Sequence, residues 1–418
     1  MHDFVYKNGE LYCESVKVST IADQAGSPVY IYSYKTIVEH FRKIKQAFKA
    51  VDPIICFAMK ANSNLAVLKA LVDEGSGFDI VSGGELKKAR LVKADMQRVV
   101  FASVGKTEVE IQEAIKAGIL LFNVESKPEL EHINRIAGRL RKTVQVALRI
   151  NPDIDSPTHE KINTGSLKKK FGIDLKTARD IFVAQGTYRN LRINGVHIHI
   201  GSQITKAEPF IAAIKKALLF IDDLESSGVK VEYFDIGGGL GIIYQDETPQ
   251  TAREFASKVL PLLKGRKFKL LMEPGRFIVG NAGIFITRKL YMKDNGVKKF
   301  MIVDAGMNDL VRPSMYGAYH EIVPLKKTTS GSVLCDVVGP ICESGDVFAH
   351  DRNIANIKDG EYLALLSAGA YGYVMSSNYN VRPRVAEVMV KGHKWAVVQK
   401  REDFKDLIRG ASIPGFLR

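Results

Sequence analysis

The stretch IICFAMKANSNLAVLKALVDEGSGFDIVS, residues 54–82, carries the decisive pattern: a short apolar run, a longer segment of helical period stopped at Gly75, and a second apolar run. A strand, a crossover helix and a strand running the same way is the parallel βαβ unit. The alternation extends in both directions, from about residue 30 to residue 280. IICFAM (54–59) and FDIVS (78–82) are followed by RVVFA (98–102), ILLFNV (119–124), VQVALRI (144–150), GVHIHI (195–200), EYFDI (232–236) and KLLME (269–273). Between them, Ile37, Phe41, Ile44 and Phe48 make one apolar helix face, Thr107 with Glu110 and Ser126 with Glu129 have capping-box spacing, and Gly118 and Gly228 stand at helix ends. Eight parallel strands in roughly 250 residues is the count of a closed (β/α)8 barrel, whose active site lies at the C-terminal ends of the strands. An open doubly wound sheet is the alternative.

Beyond residue 280 the helical period fades. IFITRKLYMK, KKFMIVDAG, SVLCDVVG, YLALLSAG, RVAEVMVKG and KWAVVQ read as strands of an all-β domain. FVYKNGELYCESV, near the start, reads as a hairpin turning at Asn8-Gly9 that belongs with this domain. The expected division is therefore a barrel over residues 30–279 and a β-rich domain built from 1–29 and 280–418.

The chain has 418 residues, 46% of them hydrophobic, enough for large cores in two domains. MHDFVYKNGELYCE offers no uninterrupted apolar segment for a secretory signal, and no run of about 18 apolar residues follows, so the expected address is the cytoplasm and no membrane contact is expected. Cys13, Cys56, Cys335 and Cys342 lie far apart without CxxC or Cys/His spacing, which argues against disulfides and a structural metal. The net charge of +14 is spread along the chain and interleaved with carboxylates, so nucleic acid is not the expected partner.

The barrel hypothesis directs attention to the residues just past each strand. Lys60 follows the first strand; such a lysine is ordinarily a solvated surface residue, but in an enclosed barrel mouth its amine loses solvation and can condense with a carbonyl. His197 and His199 alternate onto one side of the sixth strand, as a ligand-facing pair or as packed histidines. DIGGGLG (235–241) closes backbone N–H groups on a phosphate or makes an ordinary tight turn, and it lacks the GxGxxG dinucleotide spacing. EPGR (273–276) places Glu273 and Arg276 at the same rim. A phosphate for the glycines, an aldehyde for Lys60 and a ring base for Glu273 are all supplied by pyridoxal phosphate (PLP).

FAMKAN (57–62), FDIVSGGEL (78–86), HIHIGSQ (197–203), DIGGGLG (235–241), EPGRFIVGN (273–281), GPICESGD (339–346) and AGAYGYVMSSNYN (368–380) occur in that order. This series resembles the diaminopimelate decarboxylase family of the alanine-racemase-like class of PLP enzymes, over nearly the whole chain. RINPD (149–153) and INTGSLKKKFGI (162–173) resemble the same pattern. The resemblance implies that Lys60 carries PLP as a Schiff base, that His199 stacks on its ring, and that Glu273 pairs with its pyridine nitrogen. Gly238, Gly239, Gly275 and Arg276 hold the phosphate, Ser202 and Tyr371 add hydroxyls, and Asp79 lies near the cofactor in a role left open. Arg276, Arg312 and Tyr316 bind the distal carboxylate of the substrate, Glu343 its distal ammonium, with Tyr371 nearby, and Cys342 donates the proton that quenches the carbanion. The implied reaction converts meso-2,6-diaminopimelate, a diamino dicarboxylic acid, to L-lysine in a homodimer whose CESGD segment completes the neighbouring site. Without the surrounding motifs, Arg312 and Glu343 read as surface charges, Cys342 as a buried hydrophobe, and Tyr316 and Tyr371 as packing. A carboxynorspermidine-type decarboxylase is the nearest rival; a non-enzymatic PLP-homeostasis protein lacks the second domain, and an alanine racemase uses a tyrosine as its second base.

Overall fold

The computed structural model describes residues 3–154 and 170–417, so residues 162–169 of the INTGSLKKKFGI segment lie outside the described residues. The chain divides into two units, Ile37–Val279 and a second formed by Met1–Thr36 with Gly280–Arg418.

Eight parallel strands close the first unit: β1 Ile54–Ala58, β2 Gly77–Ile80, β3 Val99–Phe101, β4 Leu121–Val124, β5 Val144–Arg149, β6 Leu191–His197, β7 Tyr233–Asp235 and β8 Lys269–Met272. Each pairs with its neighbours in sequence, and β8 returns to β1 with Leu271 opposite Ile54 and Met272 opposite Ile55. The sheet is therefore the closed barrel and not the open doubly wound alternative. Helices bury their apolar faces against it. Ile37, Phe41, Ile44 and Phe48 are all buried, and the Phe48 ring packs 5.7 Å from that of Phe255.

Local signals place the helix ends. Thr107 and Glu110 form a reciprocal capping box, and Gly118 stops the same helix with a φ of 70°. Ser126 makes only half of the expected box: it accepts the Glu129 N–H, but the Glu129 carboxylate goes instead to Lys106 and the Glu125 N–H. The competing buried lysine is stronger than a cap.

In the second unit the strand order is Val347–Ala355, Ser332–Val338, Lys299–Val303, Gly283–Asp294, Val29–Ser33, Ala386–Lys391 and Lys394–Gln399, with Tyr362–Leu365 also pairing with Gly283–Asp294. Phe4–Lys7 and Glu10–Cys13 form an antiparallel hairpin whose turn residues Asn8 and Gly9 both have positive φ, as a tight hairpin turn requires. No helix among the described residues is long and apolar enough to cross a membrane.

Candidate active site

Lys60 sits on a single 3₁₀ turn, Met59–Ala61, at the C-terminal end of β1. The turn after β8 packs directly on it. A Cβ on Gly275 would stand 3.1 Å from the Cβ atoms of both Ala58 and Ala61, so glycine there lets the two strand ends close together. Lys60 Nζ meets Asp79 Oδ2 at 2.5 Å, with the lysine side chain 34% exposed and Asp79 on β2 fully buried. Burial, reinforced by the charge of Glu273, pushes the Asp79 carboxyl up to about 7 despite the Lys60 ammonium.

Glu273, buried just past β8, is surrounded by polar groups from three other strands. Asn123 of β4 donates to its Oε1 at 3.0 Å, while Oε2 lies 3.5 Å from His197 Nε2 and 4.0 Å from His199 Nδ1. Burial alone would raise this carboxyl, but His197 and Lys60 outweigh it and hold it well below the usual carboxylate range. Asp235 on β7 goes the other way, because burial and the adjacent Glu273 charge push its carboxyl far up. Neighbouring carboxyls in one apolar mouth cannot all ionise, and Glu273 is the one that keeps its charge.

His199 Nδ1 accepts the Gly238 N–H at 3.2 Å, so its proton resides on Nε2. Burial, with Arg149 and Lys60 close by, holds the imidazole well below its ordinary value and hence neutral. The ligand atoms of His197, His199 and Glu273 lie within 4.8 Å of one another, the spacing of a possible metal site, where the sequence analysis expects none. The Gly238 hydrogen bond closes His199 Nδ1 to a metal.

The glycine run is tight against its neighbours. A Cβ on Gly238 would meet the Glu273 carbonyl oxygen at 2.1 Å, and one on Gly239 the Gly201 carbonyl oxygen at 2.4 Å. Gly237 N–H donates to Asp235 Oδ1 and Gly241 N–H to the Ile204 carbonyl, whereas among the described residues the N–H groups of Gly239, Leu240 and Gly275 take no protein acceptor. Beside them, Arg276 donates to Ser202 Oγ at 3.1 Å and to Tyr244 Oη at 2.5 Å. Arg149, at the end of β5, pairs with Glu125 at 2.8 Å and spreads over the Phe171 ring.

These features fit PLP: an amine, a carboxylate held ionised, a neutral imidazole, and outward backbone amides beside an arginine and a serine. Asn123, Asp235, Glu125 with Arg149, and Tyr244 were not singled out from the sequence. Asp235 carried the clearest signal, opening the DIGGGLG motif.

The remaining candidates belong to the second unit. Arg312 begins a short helix, Arg312–Tyr316, and is buried with its guanidinium 2.7 Å from His320 Nε2; Tyr316 is half-buried at the helix end. Cys342 is exposed, and its N–H donates to Asn380 Oδ1 at 2.9 Å; Glu343, also exposed, accepts from Tyr379 Oη at 3.4 Å. Tyr371 is half-buried and adopts a φ of 56°, uncommon for a bulky residue. Inside this unit the CESGD segment is thus tied to the turn at 379–380, and Ser314 on the Arg312 helix donates to the Gly345 carbonyl at 2.6 Å.

Residues 34–280 match the family described as pyridoxal-dependent decarboxylase, pyridoxal binding domain. A diaminopimelate decarboxylase of Aquifex aeolicus (strain VF5) is 47% identical over 404 residues, 96% of this chain and 96% of that protein. The crystal structure of diaminopimelate decarboxylase from Helicobacter pylori complexed with L-lysine matches with a TM-score of 0.90 at 40% identity, over 94% of this chain and 98% of that one. For the diaminopimelate decarboxylase from M. jannaschii in co-complex with L-lysine the TM-score is 0.95 at 35% identity, over 100% and 99% of the two chains.

Proposed function

The chain belongs to the family of pyridoxal-dependent decarboxylases, among the diaminopimelate decarboxylases, and on that premise we propose that it converts meso-2,6-diaminopimelate to L-lysine and CO2, the last step of lysine biosynthesis. It is a PLP-dependent carboxy-lyase. The observation that carries the reading is Lys60, at the mouth of the barrel with Asp79 2.5 Å from its amine and an ionised Glu273 in the same cluster.

PLP, when bound, supplies an aldehyde for amines and a ring that accepts the electron pair left when a carboxylate departs as CO2. Lys60 holds it covalently. For its amine to act as a nucleophile it must give up a proton, and Asp79, whose carboxyl is pushed up to about 7, is placed to take it. The charge on Glu273 would hold a proton at the ring nitrogen, and neutral His199 would pack on the ring face. Gly239 and Gly275 would offer their N–H groups to the phosphate, with Ser202 and Arg276 beside them, and the family resemblance assigns Tyr371 a further hydroxyl. Gly238 serves the site differently, because its N–H is engaged by His199.

At the substrate, Arg276, Arg312 and Tyr316 bind the distal carboxylate, Glu343 takes the distal ammonium, and Cys342 delivers a proton to the α-carbon. The exposed residues Cys342–Gly345 support a homodimer in which Cys342 and Glu343 complete the partner's site. Buried arginines discriminate strongly against substrates lacking a second carboxylate, since those substrates leave them unpaired. Four cysteines without a disulfide support a reducing, cytoplasmic setting.

The test is product analysis of the purified holoprotein. Equimolar L-lysine and CO2 from meso-diaminopimelate, with much slower turnover of carboxynorspermidine, ornithine and lysine, is the expected result. Preferred turnover of carboxynorspermidine would move the substrate assignment to that rival.

A further inference from the structure

Away from the histidines, Glu273 is held by Asn123, which also meets Asp235, and the mechanism above uses neither. Asn123, fully buried at the end of β4, donates its amide to Glu273 Oε1 at 3.0 Å and lies 3.4 Å from Asp235 Oδ2. Asp235, also fully buried, accepts the Gly237 N–H on Oδ1 at 2.9 Å, and the Asn123 amide lies between its carboxyl and that of Glu273.

The orientation of the Asn123 amide is informative. Its Oδ1 is buried without a donor. Turning the amide over would bring that oxygen against two carboxyl groups and lose a charge-assisted hydrogen bond, so leaving one acceptor unmet is the smaller cost. The residue is braced from behind as well. Lys106, itself buried, donates to the Asn123 carbonyl at 2.8 Å and to Glu129 at 2.6 Å.

We propose that Asn123 and Asp235 are positioning residues for Glu273: the Asn123 amide, held between Asp235 Oδ2 and Glu273 Oε1, fixes one edge of the Glu273 carboxylate and leaves the other oxygen, Oε2, on the side of His197 and His199, where the cofactor ring nitrogen is to be met. The proposal rests on the reading of Glu273 as the partner of that nitrogen. A protonated Asp235 is suited to the task because it accepts the Asn123 amide without adding a second negative charge beside the first. Burial and the Glu273 charge both favour that proton.

The experiment uses the full-length protein reconstituted with PLP and reads cofactor affinity, the pH at which the cofactor is released, and the melting temperature. Asn123→Ala should weaken PLP binding by about tenfold or more, the usual consequence of losing a buried hydrogen bond to a charged group, and Asp235→Ala should weaken it in the same direction. Asp235→Asn keeps volume and a neutral acceptor for the Asn123 amide, and should recover most of what Asp235→Ala loses. Asn123→Asp keeps volume but exchanges the donor for a further carboxyl. That change raises the affinity of Glu273 for protons, so PLP should be released at a higher pH as the solution is acidified. In a Glu273→Gln background the same substitution should no longer move that pH, because the group it acts through is gone. Unchanged PLP affinity in both alanine variants, or Asp235→Asn as defective as Asp235→Ala, overturns the positioning role. Lowered melting temperatures with no shift in the release pH for Asn123→Asp overturn it as well, and the two volume-preserving variants keep the test open if the alanine variants do not fold. Failure of the unsubstituted protein to take up PLP would instead overturn the reading on which the proposal rests.

Discussion

Gly238→Ala tests whether the barrel mouth depends on the close approach of β7 and β8. The added Cβ would fall 2.1 Å from the Glu273 carbonyl oxygen and 3.0 Å from its carbonyl carbon, so the two strand ends must separate by about 1 Å to reach van der Waals contact. They are not free to do so. The Glu273 N–H donates to the Gly237 carbonyl at 2.8 Å, and the Gly238 N–H holds His199 at 3.2 Å, so the displacement passes to two residues that face the cofactor. A misplacement of about 1 Å in a catalytic group costs on the order of 100-fold in rate, and overpacking of this kind costs about 1–3 kcal/mol of stability. Steady-state kcat/KM for diaminopimelate at saturating PLP, cofactor affinity and a thermal melt read the three effects separately. Gly186→Ala, where the added Cβ meets nothing within 4 Å, is the control and should match the parent protein. Parental kcat/KM and PLP affinity in Gly238→Ala would refute the argument.

Arg312→Ala should raise the diaminopimelate KM and relax discrimination against lysine and ornithine, as seen in competition kinetics; equal loss toward every substrate would place Arg312 in folding, through its contact with His320, and not in recognition. Lys60→Ala and Cys342→Ala proteins, each inactive alone, should recover roughly a quarter of the parental activity when unfolded and refolded together, because about half the dimers are mixed and each holds one intact site. No recovery, with mixed dimers demonstrated by differential tags, would show that each chain builds its site alone. Asp309, buried in the second unit, accepts hydrogen bonds from the Gly306 N–H and the Asn308 amide, and burial raises its carboxyl from 3.8 to about 7. The folded chain therefore keeps a proton that the unfolded chain releases, so the stability from this group is present at low pH and lost as pH rises toward about 7. Asp309→Asn, neutral throughout, should show a smaller fall in melting temperature over that interval; an equal fall would mean that Asp309 is not the titrating group.

The barrel is legible because each of its strands is a short apolar run bounded by helix signals. In the second unit the pattern is less complete. Val347–Ala355 reads VFAHDRNIA, too polar for its period to stand out, and Val29–Ser33 is buried along its whole length and so lacks alternation. Lys60, His199, the glycine run and Glu273 can be picked out because each lies where a strand meets a loop, the place a barrel puts its chemistry. Asn123 cannot, because a single polar residue inside a strand is indistinguishable from ordinary alternation until the barrel closes and brings β4, β7 and the end of β8 together, and Asp235 shows only as the first residue of the DIGGGLG motif. Cys342, Glu343, Arg312 and Tyr316 are distant in sequence from the barrel motifs, and no local rule joins them to it. Their roles come from the family resemblance alone.

The most direct test of the account is to reduce the PLP-loaded protein with borohydride and sequence its peptides by mass spectrometry. The phosphopyridoxyl group is expected on Lys60, in the FAMKAN segment, and in Lys60→Ala protein both the label and diaminopimelate turnover should be absent. A label on another lysine, or lysine production that survives Lys60→Ala, would contradict the assignment of the cofactor to the mouth of this barrel.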